Sequence, residues 1–197
     1  MTLAKARLLL WGLVGLAAIA GLFVALRPAP APSVAQQQPM TAVGGPFTLT
    51  GTDGKLFASS RLNGKPAAIF FGFTHCPDVC PTTLARLIKL RRQIGGDAFA
   101  IAFISVDPER DTPAELARFT SLFDGQVIAL TGSAGQIEQV KKQFGVFSEK
   151  VAQPGSDYSV NHSAAVFVMD RNGAFVSTIS PDEPDAAALA KLKRVAA

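Results

Sequence analysis

The sequence predicts an α/β domain with a buried central sheet, held behind one membrane-spanning helix. Three observations predict it. Leu8 to Leu26 is a run of 19 residues without a charge. Beyond it, short apolar runs alternate with segments of helical periodicity. At the first of these alternations stand the only two cysteines, Cys76 and Cys80, where a strand pattern gives way to a helix start.

At 1.5 Å per residue the uncharged run reaches about 28 Å, roughly the hydrocarbon thickness of a bilayer. A secretory h-region is shorter, about 7–15 residues. No clean small-x-small cleavage site follows closely, Ser33-Val34-Ala35 being a weak one. An uncleaved anchor over residues 8–26 is therefore favoured over a cleaved signal. Lys5 and Arg7 place residues 1–7 in the cytoplasm and everything after the span outside it, an asymmetry that Arg27 weakens without reversing. In a bacterium that side is the periplasm; in a mitochondrion it is the intermembrane space. Residues 27–46 carry five prolines and no charge after Arg27, and read as an extended tether. The formal +4 belongs mostly to this N-terminal part. Without Lys5, Arg7 and Arg27, 16 basic residues face 15 acidic ones, and the net +1 leaves no footprint for nucleic acid.

Residues 47–197 are long enough for one core. Phe47-Thr48-Leu49-Thr50, with the turn signal Asp53-Gly54, reads as an N-terminal β-hairpin. Ala67 to Phe73 is a continuous apolar run of the buried parallel-strand type. Leu84, Leu87, Ile88 and the stem of Arg91 form a helical stripe that Gly95-Gly96 ends. Phe99 to Val106 is the second central strand. Thr112-Pro113-Ala114-Glu115 reads as a capping box with proline at N1, opening a helix through Phe119 and Phe123. A third strand spans Val127 to Leu130, and Ser133 caps a helix with Ile137, Val140, Lys141 and Phe144 inward. Gln153 to Asn161 reads as a polar loop. Ala164 to Met169, the turn Asp170-Arg171-Asn172-Gly173 and Phe175 to Ile179 make an antiparallel hairpin, and Asp185 to Val195 a closing helix. Alternating strands and helices followed by a hairpin and a helix is the thioredoxin-like order.

Open α/β sheets carry their sites at the carboxyl ends of the strands. Cys76 and Cys80 follow the first central strand; Asp107-Pro108-Glu109-Arg110-Asp111 follows the second. A thiol pair at a helix N-terminus is biased toward thiolate by the macrodipole. If both cysteines lie in the first helical turn, their Cα atoms are about 6 Å apart, near the upper end of the disulfide range. A bond between them would be easily reduced, and the same two sulfurs could converge on one metal ion. A purely stabilising disulfide is the weaker reading, because so short a loop gains only about 2 kcal/mol.

Two histidines remain. His75 is adjacent to Cys76 and is expected to point away from whatever Cys76 faces. His162 precedes the last hairpin; alone it would be a hydrogen-bonded loop histidine. In a thioredoxin-like arrangement, however, the loop before that strand faces the dithiol and usually carries a proline, and Val160-Asn161-His162 stands in its place. Two thiolates and an imidazole suit Cu(I), and less selectively zinc. Asp107 sits on the rim, either tuning the histidine or meeting a partner, or simply capping the turn before Thr112. Asp78 reads as a solvated carboxylate at the helix start. Met169 ends an apolar strand and reads as core. Met40, in the tether, is at most a transient ligand.

Gly72-Phe-Thr-His-Cys76-Pro-Asp-Val-Cys80-Pro, Ser105-Val-Asp-Pro-Glu-Arg-Asp-Thr112 and Val160-Asn-His162-Ser together resemble the Sco/SenC family of copper-binding assembly proteins. The resemblance covers roughly Phe47 to Leu192 plus the single anchor. It implies copper, as Cu(I) and also Cu(II), held by Cys76, Cys80 and His162. It further implies a redox-active Cys76/Cys80 dithiol, and delivery to or thiol reduction of the dinuclear copper centre of cytochrome c oxidase subunit II. Other copper donors or thiol reductants would be further partners.

Two readings from other classes compete. A membrane-anchored thiol-disulfide oxidoreductase or redox sensor would need no His162. A peroxiredoxin-like peroxidase is suggested by Val79-Cys80-Pro81-Thr82. That chemistry expects threonine or serine three residues before the cysteine, where Pro77 stands.

Overall fold

In the computed structural model, β1 (Thr48–Gly51) and β2 (Leu56–Ala58) form the expected N-terminal hairpin, followed by a 3₁₀ turn over Ser59–Leu62. The structure describes residues 43–153, 155 and 157–197. The expected anchor, most of the tether and Met40 lie outside them. Among the described residues no helix is long and apolar enough to cross a membrane.

β3 (Ala67–Gly72) leads into α1 (Val79–Ile94), then β4 (Ala100–Ser105), α2 (Pro113–Thr120), β5 (Ile128–Thr131) and α3 (Ala134–Phe144). A second hairpin follows, β6 (Ser148–Ala152) and β7 (Tyr158–His162). The chain closes with β8 (Val166–Met169), β9 (Phe175–Ile179) and α4 (Asp185–Ala196). The main sheet has the order β2-β1-β5-β4-β3-β8-β9. β3, β4 and β5 are parallel; β8 runs antiparallel beside β3, and β1 antiparallel beside β5. The segment β3-α1-β4 with β8-β9-α4, in spatial order β4-β3-β8-β9, is the thioredoxin-like arrangement the sequence predicts.

Every residue of β3 is buried, which explains its lack of polar alternation. Its side chains alternate between two aromatic clusters. Phe70 pairs with Phe103 of β4, which meets Phe119 of α2, while Phe71 meets Phe144 of α3 and Phe167 of β8 on the other face. Phe70, Phe71, Phe73, Phe99 and Phe103 are almost wholly buried, each worth about 1.5–3 kcal/mol on removal from water. Arg91 is buried by its stem, as expected, and its guanidinium donates to the Gln126 carbonyl at 2.9 Å.

Four expectations need correction. The polar loop from Gln153 to Asn161 is in part a strand, and His162 ends β7 instead of leading into the next strand. The signal was weak because both strands of this hairpin are short and half-exposed, so tertiary contacts rather than a continuous apolar pattern hold them. The Thr112 box is half made. Thr112 Oγ1 accepts the Glu115 N–H at 3.2 Å, but the Glu115 carboxylate pairs with Arg118. The complete reciprocal box is Ser133 with Gln136. Lastly, α1 starts at Val79, so only Cys80 lies within the helix and Cys76 stands in the preceding turn. Asp107 is corrected below.

Candidate metal centre

β3 ends at Gly72, and the chain turns at once, the Cys76 N–H donating to the Phe73 carbonyl at 3.3 Å. The turn is pinned from below. Thr74 donates its hydroxyl to Asp111 Oδ1 at 2.6 Å and its N–H to Asp111 Oδ2 at 3.1 Å, and Ser105 donates its hydroxyl to Asp111 Oδ2 at 2.6 Å. Asp111 is fully buried, and burial pushes its carboxyl upward against those hydrogen bonds.

The start of α1 has an unusual cap. Asp78, at the N-cap, is exposed and accepts from the Thr82 hydroxyl instead of capping the helix. Cys76 Sγ accepts the Cys80 N–H at 3.4 Å. Pro81 in the first turn costs no backbone bond, because its N–H would be an orphan there anyway. Thus sulfur supplies the acceptor that a carboxylate normally supplies, which favours an ionised sulfur. The Cys80 thiol hydrogen bond is the main cause that brings Cys76 down to about 4, against the opposing cost of burial; the His162 side chain, and then the backbone N–H groups of Cys80 and Asp78, add to it. Cys80, buried and donating to that thiolate, is pushed strongly upward. The arrangement favours the negative charge on Cys76 and the proton on Cys80, and both cysteines are free.

Gly72 makes room for Cys80. A Cβ on Gly72 would stand 2.8 Å from Cys80 Sγ and 2.7 Å from the Phe103 ring. Gly72→Ala is expected to push Cys80 out of place and to cost about 1–3 kcal/mol of overpacking. Urea unfolding checks the stability, and the iodoacetamide reactivity of Cys80 checks the displacement. An unchanged Cys80 reactivity would sink the steric account.

His162 arrives from the second sheet. Its Nδ1 lies 3.0 Å from the Ser163 carbonyl. A carbonyl oxygen only accepts, so Nδ1 carries a hydrogen, and in the neutral imidazole Nε2 then presents its lone pair. That lone pair is 3.6 Å from Cys80 Sγ. The imidazole is wedged edge-on against Phe70 and Phe73, with centroids 6.1 and 5.8 Å away. The ligand atoms of Cys76, Cys80 and His162 all lie within 4.8 Å of one another. A trigonal centre with metal–sulfur near 2.3 Å and metal–nitrogen near 2.0 Å needs a sulfur–nitrogen separation of about 3.8 Å. The site is thus close to that geometry before any ion enters.

His75 stands apart from this group. It is exposed, with Nδ1 3.1 Å from the Thr74 hydroxyl. Met169 is buried in the core. Asp107, expected on the rim, is fully buried, and its carboxylate is committed to the Tyr158 hydroxyl at 2.7 Å and Arg110 Nε at 2.5 Å. Its role is therefore structural support for the hairpin that carries His162. Tyr158 was invisible as a site residue in the sequence, and Arg110, quoted there on the rim, gave no sign of meeting it, because only the folded chain brings β7 onto the loop after β4. Gly72, quoted there within a motif, gave no sign of its contact with Cys80.

A family model described as SCO1/SenC matches residues 35–197. The chain belongs to this family. Its curated relatives include the mitochondrial SCO1 homolog 1 of Arabidopsis thaliana, 40% identical over 139 residues, which are 68% of this chain and 41% of that protein. The mitochondrial SCO2 protein of Saccharomyces cerevisiae is 37% identical over 157 residues, 77% of this chain and 52% of that one. The chain thus spans about half the length of these two relatives. Among solved structures, the SCO1/SenC likeness is carried by ScoI of Bradyrhizobium japonicum with copper bound, at 44% identity and a TM-score of 0.72, covering 78% of this chain and 99% of that one. Yeast Sco1 with copper bound follows at 32% identity and 0.71, covering 78% and 87%. These likenesses bear out the thioredoxin-like fold.

Proposed function

We propose that this SCO1/SenC protein is a copper chaperone for cytochrome c oxidase assembly, holding copper on Cys76, Cys80 and His162. The carrying observation is the convergence of two sulfurs and an imidazole lone pair within 4.8 Å on one rim. Two soft sulfurs select Cu(I) over hard cations, and three ligands leave its coordination open to an incoming acceptor ligand. Copper is cargo here. The protein's part is to present a thiolate in advance and to hold the imidazole, packed against Phe70 and Phe73, in the right tautomer. The names of similar structures, ScoI and yeast Sco1 with copper bound, support the same cargo.

The acceptor follows from the family resemblance as the dinuclear copper centre of oxidase subunit II. Residues 8–26 would anchor the chain in the inner membrane, with residues 27–46 as tether and residues 47–197 on the periplasmic or intermembrane-space side. That arrangement holds donor and acceptor on one membrane face at a raised effective concentration.

The test is copper stoichiometry on the full chain in detergent. Reduced protein should retain one Cu(I) per chain after dialysis. Protein oxidised to a Cys76–Cys80 disulfide should retain none, since a bridged sulfur is no longer a thiolate ligand. Stoichiometric Cu(I) on a chain without free thiols would contradict the assignment. A second reading, thiol reductant, is favoured by one observation: the half-exposed Cys76 thiolate has a buried thiol behind it, ready to resolve a mixed disulfide. An oxidised subunit II peptide incubated with copper-free protein should then be reduced.

A further inference from the structure

We propose that Arg110 is the positioning residue for His162, setting how firmly the β6–β7 hairpin holds that ligand over the dithiol. The inference rests on the copper reading above. It starts from topology. β6 and β7 form a two-stranded sheet of their own and make no ladder with the main sheet. A lone hairpin is marginal in water. Where His162 sits, at the end of β7, therefore depends on what ties this hairpin to the body.

Arg110 is the hub of those ties. From the loop after β4, its Nε bonds Asp107 Oδ2 at 2.5 Å, while Nη1 reaches across to Asp157 Oδ1 and the Tyr158 carbonyl, both at 2.8 Å. Its guanidinium lies over the Tyr158 ring, 3.7 Å from the centroid, and 5.9 Å from the centroid of Phe73. Phe73 is the ring that packs edge-on to His162 at 5.8 Å. The Tyr158 hydroxyl returns to Asp107 at 2.7 Å. One planar cation thus joins the body, the hairpin and the aromatic wall of the ligand.

Among the described residues, the remaining polar ties of the hairpin are the Cys80–His162 contact and the Lys150–Glu109 ion pair. That pair is largely exposed and contributes little. The Arg110 side chain is only 17% exposed, and its partner Asp107 is 0% exposed. Charge-assisted bonds and stacking are stronger in that setting. Nε, Nη1 and the flat face are used while Nη2 is buried without a partner, and a lysine ammonium cannot reproduce that spread of contacts.

The consequence is a two-state site. With the hairpin docked, copper has three ligands; with it lifted, the two sulfurs remain. The histidine's share of the affinity scales with the docked fraction, down to the floor set by the two sulfurs alone. Loss of partners that orient a ligand typically costs about 10–100-fold in metal affinity.

The test uses the full chain in detergent, with Cu(I) alone as the probe and a chromophoric chelator as competitor. Arg110→Met and Arg110→Lys are made on the parent and on a His162→Ala background. On the parent, Arg110→Met should weaken Cu(I) binding about tenfold or more, with Arg110→Lys nearer to it than to the parent. On His162→Ala, neither change should weaken binding further. In the copper-free protein, Arg110→Met should speed amide exchange in residues 148–152 and 158–162 and leave β3 and β4 unchanged. Equal losses on both backgrounds would overturn the proposal in favour of general destabilisation, and so would unchanged affinity on the parent. A parent that bound no Cu(I) would remove the copper reading itself. Non-additivity failing in a parent that does bind would remove only the role of Arg110.

Discussion

Cys80→Ser is expected to abolish stoichiometric Cu(I) binding, with Cys76→Ser close behind and His162→Ala weaker than the parent by at least tenfold. Cys80 is completely buried, its sulfur lies 3.6 Å from the histidine lone pair, and Gly72 is shaped around it. Among the described residues the other soft side chains are Cys76, already in the ligand set, and Met169, which is committed to the core. A serine hydroxyl is a hard, neutral donor that Cu(I) does not favour. Loss of a directly ligating sulfur should exceed the roughly 10–100-fold cost of losing an outer partner. His162→Ala leaves two sulfurs, which still hold Cu(I) as a two-coordinate ion, so its loss is smaller. Competition titrations with a Cu(I) chelator give the ranking. A His162→Ala protein as tight as the parent would rule out the three-ligand site.

Cys76 should behave as a thiolate far below the usual thiol range. With its ionisation near 4, it is almost fully ionised at pH 6, where an ordinary cysteine with a pKa of about 8.5 is roughly 0.3% ionised. The sign follows from the depressed value: reactivity persists as pH falls from 8 to 6 and collapses only as pH approaches 4. Intrinsic nucleophilicity falls with pKa, which offsets part of the several-hundred-fold gain in thiolate. Iodoacetamide at pH 6 should therefore label Cys76 well ahead of Cys80, whose proton is held by burial and by the Cys76 sulfur. Loading Cu(I) at pH 8 should correspondingly release about one proton per copper, that of Cys80, instead of two. Labelling can be read by mass spectrometry, and proton release in weak buffer. Equal labelling of the two thiols, or two protons per copper, would show that the hydrogen bonds from Cys80, its thiol first, do not keep Cys76 ionised in the copper-free protein.

Much of this molecule was legible in its sequence, for reasons that differ by element. β3 was readable because a doubly buried parallel strand is apolar along its length, and β4 because it is apolar up to Ser105. α3 was readable because Ser133 and Gln136 satisfy orphan N–H groups locally. The dithiol was readable because its spacing puts both sulfurs at one strand-to-helix junction. β6 and β7 were not. Ser148–Ala152 buries no residue fully, and in Tyr158–His162 only Val160 is buried, so neither strand carries the pattern that marks an element. The capping atom of α1 was missed for a related reason. Asp78 has the composition of an N-cap, but it faces Thr82, and the sulfur of Cys76 takes the helix N–H.

The sequence by itself determined the order of the main-sheet strands along the chain, and the dithiol with its thiolate bias. Those properties are local: they depend on neighbours within a turn or a strand, where spacing dictates geometry. Only the tertiary structure decided that Cys80 is buried while Cys76 is partly exposed, that Gly72 must lack a side chain, and that Asp107 supports a hairpin. It alone brings Arg110 onto Tyr158, 48 residues further along the chain. Such contacts join segments whose separation is set by the sheet and its crossovers. No local pattern of residues records which of these distant groups will meet.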